Sequence, residues 1–258
     1  MRARHQLGRV RRALRRVRSA HPRVRVVVER GLKLGDFSAH EVAYDVSLNK
    51  EEISREHIFA LPGDGLTFLD VGARDGRLDY LLGIQKNLDF DAGMYERNLA
   101  AFRRKFRYYG VDLEPEDDEH VLVGDVCSET FTEGLPQFWD FFDVIYSNNV
   151  FEHLRRPWIA ARNLLQLLAP GGICITIAPF ALRYHESPAD YFRYSHTGLV
   201  ALFEDTGEVD VLVSGYDTNG RRNDWQGCGA ARDIVPVDSL GAWRENWFTV
   251  AIVRKIAA

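Results

Sequence analysis

The sequence predicts a three-layer α/β fold, with helices on both faces of a seven-stranded, mostly parallel sheet and an antiparallel last pair of strands. Three observations predict it. Seven short apolar runs of strand length recur along the chain. Segments with helical character separate the first five, as parallel crossover units require. A connector without a clear helix joins the last two, which fits two antiparallel neighbours at the sheet edge.

In chain order, residues 31–61 carry scattered apolar and charged residues, with a helix expected around Ser54–Phe59. Pro62-Gly63-Asp64-Gly65 then punctuates the chain. The expected strands are Thr67–Val71, Tyr108–Val111, His120–Val123, Phe142–Tyr146, Ile173–Ala178, Val209–Ser214 and Trp247–Val253. Arg77–Leu82 follows the first strand as a helix, an inserted loop or extra helix is placed around Gly83–Tyr95, and Tyr95–Phe106 has ordinary helical spacing. The stretch 217–245 is rich in Gly, Asn, Asp and Arg, contains Trp225 and Trp243, and is long for a connector, which suggests a lid.

A chain of 258 residues, 46% of them hydrophobic, can bury one substantial core. The expected organisation is a basic arm over residues 1–30 and one domain over 31–258, with the lid-like insertion near 217–245. Charge divides the same way. Residues 1–30 hold eleven arginines against Glu29, a net charge of +10, while the remainder carries 22 basic and 36 acidic residues, a net charge of −14. In the arm, Leu7, Val10, Leu14 and Val17 recur at helical spacing among arginines. Such a helix suits an anionic membrane surface or a phosphate-rich ligand; the plainer alternative is a helix docked on the acidic body or frayed. Nucleic acid is not expected as a partner, because the acidic body would repel a phosphate backbone. No apolar run of about eighteen residues occurs, and the arginine-rich start lacks the apolar core of a secretory signal. The expected location is cytoplasmic, with peripheral contact to the inner membrane face open through the arm. Cys127, Cys174 and Cys228 give neither a disulfide framework nor a zinc pattern, and no metal is expected.

The first strand runs into Asp70-Val71-Gly72-Ala73-Arg74-Asp75-Gly76 before a helical segment. Glycines at a strand-to-helix turn allow close backbone approach by a ligand, and the helix start offers free amides, so a nucleotide-type ligand belongs here. The second strand ends at Asp112, whose carboxylate can accept from both hydroxyls of a ribose. The third ends at Gly124-Asp125-Val126, where a second acid can accept from an exocyclic amine of adenine. Strand-end aspartates also cap helices and make turns, and that alternative applies to each of them singly.

These segments resemble the class I S-adenosylmethionine-dependent methyltransferases over about residues 66–255. The resemblance rests on Phe68-Leu69-Asp70-Val71-Gly72-Ala73-Arg74-Asp75-Gly76, on Tyr109-Gly110-Val111-Asp112-Leu113-Glu114-Pro115, on Phe142 through Leu154 with its Asn148-Asn149-Val150-Phe151-Glu152-His153, and on Leu168-Ala169-Pro170-Gly171-Gly172. It implies a Rossmann-like sheet that binds S-adenosyl-L-methionine. Asp70, Gly72 and Gly76 would surround its methionine end, Asp112 would hold the ribose, Asp125 and Val126 would flank the adenine and Asn148 would line the floor, with Ala73, Arg74 and Leu113 as further cofactor contacts. Arg74 stands where the family has a glycine, and Gly76 to Asp112 is 36 residues, longer than the general dinucleotide spacing of roughly 20.

After the fifth strand, Pro179 to Ser195 packs aromatic, basic and polar groups into one loop. Aromatics stack on the apolar faces of a sugar while Arg and His reach its oxygens, so a polyhydroxylated or anionic acceptor fits. The loop is similar to that of a subgroup associated with glycan and secondary-metabolite biosynthesis. Tyr184, Asp190, Tyr191, Arg193 and Trp225 are the expected acceptor contacts. Methyl transfer needs alignment and, for a hydroxyl, removal of a proton. His185 is the expected base because it lies in this loop; His153 is the second candidate, with a structural role beside Glu152 as its alternative. The expected activity is thus O-methylation of a sugar, glycan or secondary-metabolite acceptor. N-methylation of a small molecule and a non-catalytic scaffold remain alternatives. A nicotinamide-dependent sugar dehydrogenase accounts for neither Glu152-His153 nor the Pro-Gly-Gly turn, and no Tyr-x-x-x-Lys pair is present.

Overall fold

The computed structural model describes residues 49–73, 77–83, 92–114, 120–182, 184–186, 188–217 and 247–256. The basic arm, Arg74, Gly76, Trp225 and all of the 217–245 insertion except Asp217 lie outside the described residues.

Helix α1 (Lys50–Ala60) opens the described chain, its first amides capped by the Asn49 side chain, which accepts from Glu51 N and Glu52 N. Strand β1 (Leu66–Val71), α2 (Arg77–Leu82), α3 (Ala92–Lys105), β2 (Phe106–Asp112) and β3 (Val121–Val123) follow. Then come β4 (Phe142–Asn148), α4 (Pro157–Leu167), β5 (Leu168–Ala181), α5 (His196–Glu204), β6 (Val209–Asp217) and β7 (Trp247–Lys255). The seven strands form one sheet in the order β3-β2-β1-β4-β5-β7-β6. Pairs from β3 to β5 are parallel, and β7 runs antiparallel to both β5 and β6. The antiparallel pair expected from the last connector is present, with β7 tucked inside and β6 at the edge.

Alternation along the strands explains the layers. On β1, Phe68 faces a core with Phe102, Phe106, Tyr146 and Ile175, while Leu69 and Val71 face one with Ile145, Leu164 and Phe203. Ile58, Leu81 and Phe102 bring α1, α2 and α3 to the first face; Leu164 and Phe203 bring α4 and α5 to the second. Thr67 fixes the β1–β4 register, with its amide and hydroxyl donating to Asp143 Oδ2 (2.8 and 2.9 Å) and the hydroxyl also to Phe141 O.

Two elements differ from the sequence reading. Between β3 and β4 the chain makes two 3-10 turns, Phe131–Gly134 and Pro136–Phe138, instead of an α-helix. Pro136 lacks the amide a continuing helix needs, and Asn163 Nδ2 donates to Val126 O and Ser128 O, tying this short route to α4. Pro170-Gly171-Gly172, read as a turn, lies within β5, with a register irregularity between Phe142 and Val144 on the partner strand. The expected insertion around Gly83–Tyr95 ends in the first turn of α3, and residues 84–91 lie outside the described residues.

Candidate functional site

Strand order reverses between β1 and β4, and ligands of open α/β sheets bind outside the carboxyl ends of strands at such a point. A cleft of about 570 Å³ opens there, lined by Gly72 after β1, Asp112 and Leu113 after β2, Asp125 and Val126 after β3, and Asn149 and Val150 after β4. His153, Pro188 and Tyr191 line it as well.

The turn after β1 is held close by its glycines. Gly72 has φ +77°, and a Cβ added there would lie 2.7 Å from Val150 Cγ2. On the next strand, a Cβ at Gly110 would meet Ala73 Cβ at 2.8 Å, so the turn settles onto β2 only because Gly110 has none. Gly72 N donates to Val111 O at 2.9 Å and locks the arrangement. Asp112 accepts from Leu113 N (2.7 Å) and Asp125 from Cys127 N (2.8 Å). Both carboxylates therefore brace their own turns and also face the cleft. Leu113 is 58% exposed and lines the cleft beside Asp112.

Asp70 and Asn148 do not line the cleft. Asp70 points into the core between the sheet and α1–α3, accepting from Tyr108 Oη at 3.2 Å. Burial pushes its pKa from 3.8 up to about 7; the Tyr108 hydrogen bond opposes that, and the Asp112 and Asp79 charges add to it. Asn148 is buried on β4 and donates to Tyr146 Oη at 3.0 Å. Its neighbour Asn149, which the sequence reading did not single out, takes the cleft-lining place. Asn149 has φ +59°, a conformation asparagine tolerates better than most residues. Its buried Oδ1 has no hydrogen-bond partner among the described residues. The doubled asparagine after a strand was the signal for it.

The loop after β5 folds back onto the 3-10 turn Phe151–His153. Tyr191 N and Phe192 N donate to Glu152 O (2.8 and 3.2 Å), and Tyr194 Oη donates to Phe151 O (2.9 Å). His153 and His185 consequently meet, ring centroids 4.9 Å apart and planes nearly perpendicular. His153 Nδ1 bonds Ala189 O at 2.5 Å, and its Nε2 faces Glu152 Oε1 at 3.8 Å. The Glu152 carboxylate is fully buried. His185 Nδ1 lies 3.4 Å from Asp190 Oδ2.

Of the expected acceptor residues, Tyr191 lines the cleft and is half exposed. Asp190 and Arg193 are turned to each other: Arg193 Nη1 and Nη2 donate to the two carboxylate oxygens at 2.5 and 2.7 Å, and Arg193 Nε donates to Leu182 O. Burial alone would raise the Asp190 pKa, but the Arg193 hydrogen bonds, the His185 amide and the two neighbouring charges together hold it below its usual value. This pair shapes the loop from within. Tyr184 is exposed and donates to Glu186.

A family profile described as a methyltransferase domain matches residues 39–206. An uncharacterized methyltransferase of Mycobacterium avium (strain 104) is 30% identical over 117 residues, 43% of this chain and 38% of that protein. One of Mycolicibacterium paratuberculosis (strain ATCC BAA-968 / K-10) is 33% identical over 75 residues, 27% and 29% of the two chains. The chain thus spans well under half the length of the relatives it matches. Among solved structures, a candidate sarcosine dimethylglycine methyltransferase from Galdieria sulphuraria aligns with a TM-score of 0.51 at 15% identity, over 88% of this chain and 92% of that one. The cyclase SpnF aligns with a TM-score of 0.51 at 15% identity, over 90% and 88%. Both likenesses concern the fold.

Proposed function

Because the chain belongs to the methyltransferase-domain family, we propose that it moves a methyl group from S-adenosylmethionine to a hydroxyl of a sugar, glycan or secondary-metabolite acceptor. One observation carries this reading: a single cleft joins the Gly72, Asp112 and Asp125 edge to an end lined by His153, Pro188 and Tyr191, so donor and acceptor can share one space.

The residues present fit the donor. Asp112 suits the ribose hydroxyls, Leu113 and Val126 give apolar walls for a base with Asp125 at its rim, and the buried Asn149 Oδ1 offers an acceptor for an N–H group. When bound, that donor supplies a methyl on a sulfonium, an electrophile needing no further activation. The chain's own task is then to exclude water, aim the acceptor oxygen and take its proton away. Tyr191 offers a half-exposed ring on which a sugar face can stack, and the His153–His185 pair stands beside it as the place where the proton is lost.

Calorimetric titration with S-adenosylmethionine and its demethylated product, followed by incubation with methyl-labelled donor and paired hydroxyl and amine acceptors, tests the proposal. Binding of both ligands and labelled ether products are expected. Absence of binding removes the reading, and label found only on amines removes the oxygen assignment.

A further inference from the structure

We propose that Glu152, His153 and His185 form a binding site for one divalent transition-metal ion at the acceptor end of the cleft. Each of the three offers one ligand atom, and these atoms all lie within 4.8 Å of one another. A zinc ion bound at its usual distances needs its ligand atoms about 3.3 Å apart. His153 Nε2 and Glu152 Oε1 are already at 3.8 Å, so side-chain rotations suffice to close the set.

Ala189 O can only accept, so His153 Nδ1 carries a proton toward it and Nε2 is the ring atom that can ligate an ion. The Glu152 side chain that Nε2 faces is fully buried, and the His185 ring meets the His153 ring nearly at right angles with centroids 4.9 Å apart, so one carboxyl and two imidazoles gather at one point.

Both imidazoles also have the outer partners that metal-ligating histidines use. A backbone carbonyl orients His153 through Nδ1, and the Asp190 carboxylate lies against His185 Nδ1, so each ring has an outer partner on one nitrogen and keeps Nε2 as the nitrogen to ligate the ion. Asp190 is in turn fixed by the two-pronged contact from Arg193. The acid–arginine pair in the loop thereby acquires a role: it positions His185. Imidazole and carboxylate donors in this ratio suit zinc, iron, cobalt or manganese rather than calcium. Three protein ligands leave coordination positions open, as in catalytic metal sites, and His153 places them beside the cleft. The inference deepens the proposed O-methylation and rests on that reading for its chemistry. A hydroxyl that reaches an open position has its pKa lowered by the ion, and its proton passes to solvent.

The test uses the full chain stripped with a chelator, titrated with Zn2+ by calorimetry and with Co2+ by visible absorption. One ion per chain and cobalt bands of mixed nitrogen and oxygen ligation are expected. His185→Ala should weaken Zn2+ binding at least tenfold, and Asp190→Asn, which changes only an outer partner, by roughly 10–100-fold. His185 lies on a partly exposed loop, so its variant is chosen over the buried Glu152. Equal Zn2+ affinity in wild type and His185→Ala, or no binding by the wild type, overturns the proposal. Titrating the stripped protein with S-adenosylmethionine keeps the two readings apart: donor binding without Zn2+ binding leaves the methyltransferase reading standing and removes the metal.

Discussion

Replacing Asp70 with asparagine should change how stability depends on pH. Asp70 is a fully buried carboxyl whose pKa is raised by burial from 3.8 to about 7, so the folded state holds its proton more tightly than the unfolded chain does. Its contribution is fully present below pH 3.8 and is lost as pH rises toward 7, because over that window only the unfolded chain gives up the proton freely. At about 1.36 kcal/mol for each tenfold change in proton affinity, the gap comes to about 4 kcal/mol. The asparagine side chain cannot titrate, so the stability difference, Asp70→Asn minus wild type, should rise by up to that amount between pH 4 and 8 and then stay level. The amide can still accept from Tyr108, and any fixed penalty at the site where Asp70 Oδ1 lacks a partner among the described residues shifts both ends equally. Urea unfolding of both proteins at constant ionic strength, from pH 4.5 to 8, reads this difference directly. Parallel curves would show that Asp70 titrates normally, and a difference that shrinks with pH would mean that the folded state stabilises the carboxylate.

Three further outcomes follow from the site. Asp112→Ala should weaken S-adenosylmethionine binding by the value of hydrogen bonds to a charged group, roughly 1.5–3 kcal/mol; an unchanged dissociation constant in calorimetry takes Asp112 out of the site. Gly72→Ala should lower the melting temperature by several degrees, since a left-handed backbone costs roughly 1–2 kcal/mol outside glycine and the new methyl lies 2.7 Å from Val150. Adding Val150→Ala should recover the steric part alone, and full recovery would mean that the backbone is unstrained. His185→Ala should lower turnover roughly a hundredfold with donor affinity within about twofold; a raised Michaelis constant with turnover preserved would make His185 an acceptor-holding residue only.

Most of the fold was legible because its determinants are local. All seven apolar runs became strands, their ends moving by a few residues, since period-two burial and flanking turn residues act over short stretches. The strand-end positions Gly72, Asp112, Asp125 and Val126 were legible for the same reason: a ligand edge follows once the strands are assigned. Asn148 and Asn149 could not be told apart, because one residue along a strand reverses the face a side chain takes and only pairing with β1 and β5 fixes that register. The absent helix between β3 and β4 depended on Asn163, more than thirty residues away.

By itself the sequence determined the layered α/β architecture, the family resemblance and which strand ends meet at the edge of the sheet where the cleft opens. It placed His185 in the loop after the fifth strand and His153 after the fourth, beside Glu152, with separate prospects. Only the tertiary structure brought their ring centroids to 4.9 Å, set Glu152 beside them in the interior, and turned Asp190 and Arg193 inward to brace the loop. The physical reason is that strand and turn formation reads neighbours along the chain, whereas the charge and proton state of a buried cluster depend on groups such as Ala189 O and His153 Nδ1, 36 residues apart, that meet only when two loops pack on the same end of the sheet.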